Sequence, residues 1–229
     1  MSAAAGARRQ FGTGPLSRAA ALVYCLLVVE LLILLTAVPG LVPLVLLDRH
    51  ASNLPLVAAC VLPVGPAVSA ALYAVHRHRP DLADLRPAAA FWRGYRANLG
   101  PVLRLWVPAL LWLTILAVNL AHLDAAGVPG WWRVPLVVIA ALSTLWLVNA
   151  LVITSLFSFR ARDVARLAGY FLGRTPGVTL GNAGVLLAAA AITLFSSEAV
   201  LVLLGSVLVL ALLGTARPMI DKVREEFTA

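Results

Sequence analysis

Charge is scarce in this chain. Only 12% of its 229 residues are Asp, Glu, Lys or Arg, while 62% are hydrophobic, against roughly 25% charged in an ordinary soluble domain. Together with a mean hydropathy of +0.94, this excludes a fold built for water. Cysteine is nearly absent too. Cys25 and Cys60 both lie inside apolar runs and have neither the number nor the spacing of a disulfide framework or a zinc site. There is no glycine-rich phosphate loop, so an ATPase role would need a partner chain. No Ser-His-Asp or Cys-His arrangement is suggested at membrane depth, so the chain is not expected to be an enzyme and no cofactor is expected. Nor does an A-x-A-like site close the first apolar run. That run has 20 residues from Ala19 to Val38, beyond the roughly 7–15 of a secretory signal core, which points to an uncleaved first helix.

What the chain does have is a series of apolar runs near 20 residues, each long enough to cross a hydrocarbon core of about 30 Å. The formal charge of +8 and a pI near 10.7 do not call for nucleic acid. The basic residues cluster beside the apolar runs, where topology and anionic headgroups account for them. The stretch from Leu62 to Pro101 is the clearest case. An apolar span ends there, a loop with Arg77, Arg79, Arg86, Arg93 and Arg96 follows, and the next apolar run begins. Loops that stay in the cytoplasm carry excess Lys and Arg. Placing this loop inside leaves 16 of the 18 Lys and Arg on that side, with Arg49 and Arg133 outside.

The expected architecture is therefore an all-α, polytopic membrane bundle of about six spans in a bacterial inner membrane, both termini cytoplasmic. A basic segment, 1–18, precedes a transmembrane domain over 19–216, and a charge-balanced tail occupies 217–229. The expected spans are about 19–47, 54–75, 102–121, 134–157, 177–195 and 199–216. Five spans with a re-entrant 177–216 hairpin is the alternative. Pro39-Gly40 and Pro43 are expected to kink or break span 1 near its outer end. Pro63, Gly65 and Pro66 interrupt span 2, which marks it as an inward-facing helix. Between spans 2 and 3, residues 87–99 are expected to form an amphipathic helix lying in the headgroup region. Phe91, Trp92 and Tyr95 form its apolar anchor, with Arg93 and Arg96 on the other flank. Trp131-Trp132 suits an aromatic belt at the outer interface, and another amphipathic segment, with Arg160, Arg162, Arg166 and Arg174, precedes span 5. The pattern G-Y-x5-P occurs twice, from Gly94 to Pro101 and from Gly169 to Pro176, and a duplicated hairpin would produce it.

Few residues carry candidate chemistry. Glu30 lies midway along span 1, where a charged carboxylate is costly and raises a functional hypothesis. With Asn119 and Asn149 it forms a candidate intramembrane polar site. Carrying a proton or binding a cationic group is the functional reading, and hydrogen-bonded helix glue with Asn119, Asn149 or Thr36 the plain one. His76, His78, Asp81 and Asp84 crowd the inner end of span 2. The two histidines are two apart and do not share a helix face, so a solvated loop rather than a metal site is expected. Ser196, Ser197 and Glu198 read as a tight polar turn. Gly169, Gly173, Gly177 and Gly181 recur every four residues, a spacing that lets helices approach, with Pro176 interrupting the ladder. Local packing and a hinge are expected there rather than a dimer motif.

Gly65, Pro66, Ala67, Ala70, Ala71, Leu72 and Tyr73, followed by a basic loop and then by Phe91, Trp92 and Tyr95, resemble the signature of the YesL-like family of uncharacterised bacterial integral membrane proteins. The clear match spans about 40 residues, and the longer first hairpin and Glu30 depart from the pattern. The resemblance implies a multipass protein of unknown activity and no transferable catalytic residues. It also implies an accessory role in carbohydrate uptake, with the lipid bilayer and a carbohydrate transporter complex as partners. The physical alternative is a small stand-alone transporter or channel using the intramembrane carboxylate.

Overall fold

In a bilayer every backbone N–H and C=O must be satisfied within the protein, and a chain this apolar meets that demand with helices. The computed structural model describes residues 14–48, 50–78, 86–195 and 198–227, the side chains of 198 and 199 excepted, and every extended element among them is helical. Most of the expected basic N-terminal arm, Arg49, the stretch holding Arg79, Asp81 and Asp84, and the Ser196-Ser197-Glu198 turn apart from the Glu198 backbone lie outside those residues.

Helix α1 (Pro15–Leu46) starts with proline at its first position, where the missing N–H would be unpaired anyway. A single 3-10 turn, Ala51–Asn53, leads into α2 (Leu54–Val61) and α3 (Val64–His76). Then come α4 (Pro87–Ala121), a 3-10 turn Gly130–Trp132, α5 (Arg133–Leu156), α6 (Ala161–Arg174), α7 (Pro176–Phe195), α8 (Glu198–Leu203) and α9 (Gly205–Phe227). Five stretches are long and apolar enough to cross a membrane: α1, the combined α2–α3 region, α4, α5 with its leading turn, and α7. The chain is thus a membrane helix bundle.

The centre is α3, which touches α1, α4, α5 and α9. Nine of its 13 residues are buried, Gly65, Ala67, Ser69, Ala70, Ala71 and Ala74 among them. Lipid tails are as apolar as leucine, so helices in a membrane associate by close packing, and small residues permit it. A Cβ on Gly65 would fall 2.6 Å from the Trp106 ring, and one on Gly94 would fall 2.8 Å from Tyr73. The proline break in span 2 is also satisfied as expected. Helix α2 ends at Val61, and the Trp106 indole N–H donates to the Val61 carbonyl at 3.3 Å.

Several expectations need correction. Of the kink or break expected at Pro39 and Pro43, the break does not occur, since α1 runs through both to Leu46. Its C-terminal part is held against the break in span 2, where a Cβ on Gly40 would lie 1.9 Å from the Cys60 carbonyl oxygen. The expected interfacial helix over 87–99 is not a separate element. It forms the first turns of the 35-residue α4, which passes Pro101 without ending. Phe91 is fully buried in the protein core rather than anchored in lipid, while Trp92 and Leu99 face outward. The sixth expected span is not one helix, because α8 stops at Leu203 and α9 begins at Gly205. Helix α9 then continues through the expected boundary at 216, and Met219, Ile220 and Val223 of the expected tail are buried. The two G-Y-x5-P segments also differ: the first lies within α4, whereas the second spans the break between α6 and α7.

Candidate functional site

Glu30 lies at the middle of α1 and is 9% exposed. Its partner is neither Asn119 nor Asn149 nor Thr36. Glu30 Oε2 accepts a hydrogen bond from the backbone N–H of Ser206 at 2.6 Å. Ser206 is the second residue of α9, and the first N–H groups of a helix have no partner within it. Leu204, the residue at the helix start, has no side-chain acceptor to serve as a cap. Glu30 supplies one from another helix, at the end of the helix dipole that favours a carboxylate. Gly205 makes the approach possible, since a Cβ there would sit 3.3 Å from Glu30 Oε1. That second oxygen is buried and has no hydrogen-bond partner among the described residues.

Asn149 belongs to a different network. Thr215 Oγ1 donates to Asn182 Oδ1 at 2.7 Å, Asn182 Nδ2 donates to Asn149 Oδ1 at 2.9 Å, and Asn149 Nδ2 reaches the Ala168 carbonyl at 3.5 Å. The chain ties α9, α7, α5 and α6 together, and Gly181 lets α7 approach Thr215 closely. Thr36 hydroxyl donates back to the Leu32 carbonyl of its own helix. Asn119 is exposed near the end of α4. The three residues expected to form one polar site are therefore not brought together. A third network escaped the sequence reading. Ser155 Oγ donates to Ser69 Oγ at 2.8 Å, while Asn98 Nδ2 donates to Ser69 Oγ at 3.3 Å and to the Ser155 carbonyl at 3.1 Å, joining α3, α4 and α5. Its signal was the position of Asn98 one turn after the buried Gly94.

The remaining polar feature is a cleft of about 690 Å³ where α3 ends and α4 begins, walled by Cys25, Ala74, Ala90 and Leu156 and lined by His76, Arg77, His78, Arg86, Arg93 and Arg224. Arg77 is held over the Tyr73 ring, 4.7 Å from its centroid. Partial burial pushes the His78 imidazole below its ordinary value. Of the residues expected as an aromatic anchor with a basic flank, Arg93 faces this cleft. Trp92, Arg93 and Arg96 border a second hollow on the outer side of α4. Phe91 and Tyr95 stack at 6.3 Å, and Trp92 packs edge-on against both. Among the described residues no three His, Cys, Asp or Glu gather as metal ligands. The glycine ladder divides at Pro176. Gly173 and Gly177 meet nothing within 4 Å, and Gly181 makes the close approach.

Residues 22–120 match the model of a family described as a protein of unknown function, DUF624. The matched region runs from α1 to the penultimate residue of α4, so it holds Glu30 and much of the basic cleft but neither Ser206 nor Arg224. No curated protein and no solved structure matches the chain.

Proposed function

We propose that this membrane protein is a packed accessory subunit of a bacterial inner membrane that assists carbohydrate uptake beside a transporter complex and conducts no solute itself. One observation carries the scaffold reading: Glu30, Asn149, Asn182, Ser69 and Ser155, all buried, each have a polar atom engaged with another helix. Glu30 caps α9, Asn149 and Asn182 bridge helices, and Ser69 and Ser155 pair. A hydrated path needs polar groups that face an opening, and here they close helix contacts instead. The carbohydrate class and the YesL-like naming rest on the resemblance of Gly65–Tyr73 and Phe91–Tyr95. The cytoplasmic placement of the N-terminus and of the basic cleft is supported by the distribution of arginine.

The stand-alone transporter is favoured by a different observation, Glu30 Oε1, buried beside the break at Leu204 with no hydrogen-bond partner among the described residues. Purification from the native membrane, with identification of co-purifying proteins, and reconstitution of the chain alone with labelled sugars and ions separate the two. A stable transporter partner together with no flux supports the accessory role. Flux by the isolated chain that Glu30→Gln abolishes overturns it.

A further inference from the structure

We infer that the groove between α4 and α5 is a binding site for one anionic phospholipid, its phosphate on Arg104 and an acyl chain lying between Trp112 and Trp146. The groove has a volume of about 460 Å³, and its lining is apolar or aromatic except for Arg104 and Ser143. Among the described residues Arg104 makes no hydrogen bond, ion pair or ring contact. The acids nearest to it in sequence are Asp84 and Asp124, one beyond each end of α4. Arg104 is 17 residues from either end of that helix, about 26 Å at 1.5 Å per residue, and Asp124 is paired with Arg133. No ion pair joins Arg104 to Asp163 of the neighbouring α6. A cation on the lipid-facing side of a spanning helix is costly unless an anion or the headgroup layer receives it. Arginine matches phosphate through two parallel hydrogen bonds.

The dimensions fit a lipid. From Arg104 to Leu113, the two ends of the lining on α4, the helix rises about 14 Å, close to one leaflet of a hydrocarbon core about 30 Å thick. Ala121, at the end of α4, is about 26 Å beyond Arg104. A core of that thickness therefore leaves the guanidinium within reach of the headgroups on the basic side. The walls are also fixed in advance. The Trp112 indole N–H donates to Ser143 Oγ at 3.1 Å, and the Trp146 indole N–H donates to the Ala165 carbonyl at 3.0 Å. Both polar tips are engaged, so the rings offer apolar surface to the groove in orientations that cost little to hold on binding. Pro108 and Ala109, between Arg104 and Trp112, leave the trough open. One charged end with an apolar trough a leaflet long suits a phospholipid, whereas a free phosphate would leave the trough unfilled. The inference goes beyond the accessory role and stands with or without a transporter partner.

Native mass spectrometry of the full chain, released from micelles holding equal amounts of phosphatidylglycerol and phosphatidylcholine, tests it. Retention of phosphatidylglycerol in preference to phosphatidylcholine is expected, and no preference in the wild-type chain overturns the proposal. Arg104→Gln, at an exposed position, is expected to weaken retention about tenfold. Arg162→Gln, an exposed charge on α6 outside the groove, is expected to change it less than about twofold. Equal losses in both would show diffuse attraction and overturn the site. Ala109→Trp fills the trough and leaves the charge in place, so it is expected to weaken retention as Arg104→Gln does. Should that variant misfold, Ala109→Leu makes the same test with less bulk. Retention unchanged in the folded Ala109 variant would place the lipid outside the groove and overturn the proposal. So would a dimer of the chain that retains no lipid and that the Ala109 variant dissolves, because a second copy would then fill the groove.

Discussion

The end of the bundle that carries the basic cleft is packed as a protein core, whereas the opposite end is packed largely against its surroundings. Helix α5 shows both regimes within one element. From Leu147 to Ser155 all but one residue is buried, while Val134, Val137, Val138, Ile139 and Leu142 are exposed. Phe91, Phe171, Leu72, Ile153, Met219 and Val223 fill the basic end. The far end opens into a groove of about 760 Å³ between Leu44–Asp48 and Ala117–Ala121. Lipid can cover apolar surface without cost, so only the first region must be shaped by side-chain fit. The comparison predicts unequal sensitivity. Phe91→Ala should destabilise the protein in bilayers by about 3–5 kcal/mol, and Val138→Ala, at an exposed far-end position on α5, by less than about 0.5 kcal/mol. Similar shifts in steric trapping or thermal unfolding would break the comparison.

Gly40 is the sharper challenge, because it lies toward the far end and yet touches backbone. A Cβ there meets the Cys60 carbonyl, an atom that cannot rotate aside, and also the Pro63 ring at 2.8 Å. Gly40→Ala is therefore expected to cost about 1–3 kcal/mol by overpacking. Gly100→Ala, where nothing lies within 4 Å, should be neutral or slightly stabilising, since alanine is the better helix former. If both are silent in the same unfolding measurement, the far end is loose throughout.

How much of this was legible depended on the range of the cause. The inward character of span 2 followed from Pro63, Gly65 and Pro66, because a broken helix in lipid must be covered. The burial of Phe91 did not, because an apolar stripe has the same spacing whether it faces lipid or protein. The partner of Glu30 lies 176 positions away, beyond the reach of any local pattern. The continuation of α9 was obscured by charge: the run from Arg217 reads as a solvated tail. Met219, Ile220 and Val223, at helical spacing, were the signal that it folds back onto the core.

The Asn149 chain sharpens the comparison at mid-depth. It links four helices, but each bond competes with partners available to the chain when unfolded in the membrane, so interhelical hydrogen bonds of this type average about 0.6 kcal/mol. Asn182→Leu removes two of its three bonds at once and is expected to cost about 1 kcal/mol. A double-mutant cycle with Thr215→Val should show coupling. Additive effects would mean that packing at Gly181, and not the hydrogen bonds, holds α7 to α9.

Glu30 sits where the two regimes meet, and its smallest alteration separates structural from conducting roles. Glu30→Gln keeps a carbonyl oxygen able to accept from the Ser206 N–H, and it loses only the preference of a helix N-terminus for negative charge, worth about 0.3–1 kcal/mol. The amide nitrogen then occupies the place of Oε1, which has no partner to lose among the described residues. A stability change of about 0.5 kcal/mol is expected, with α9 still starting at Gly205 and amide exchange at Ser206 still protected. Loss of that protection would mean that charge, not the acceptor, holds the break at Leu204 in register. The packed end would then depend on an electrostatic contact at mid-depth rather than on its own side-chain fit.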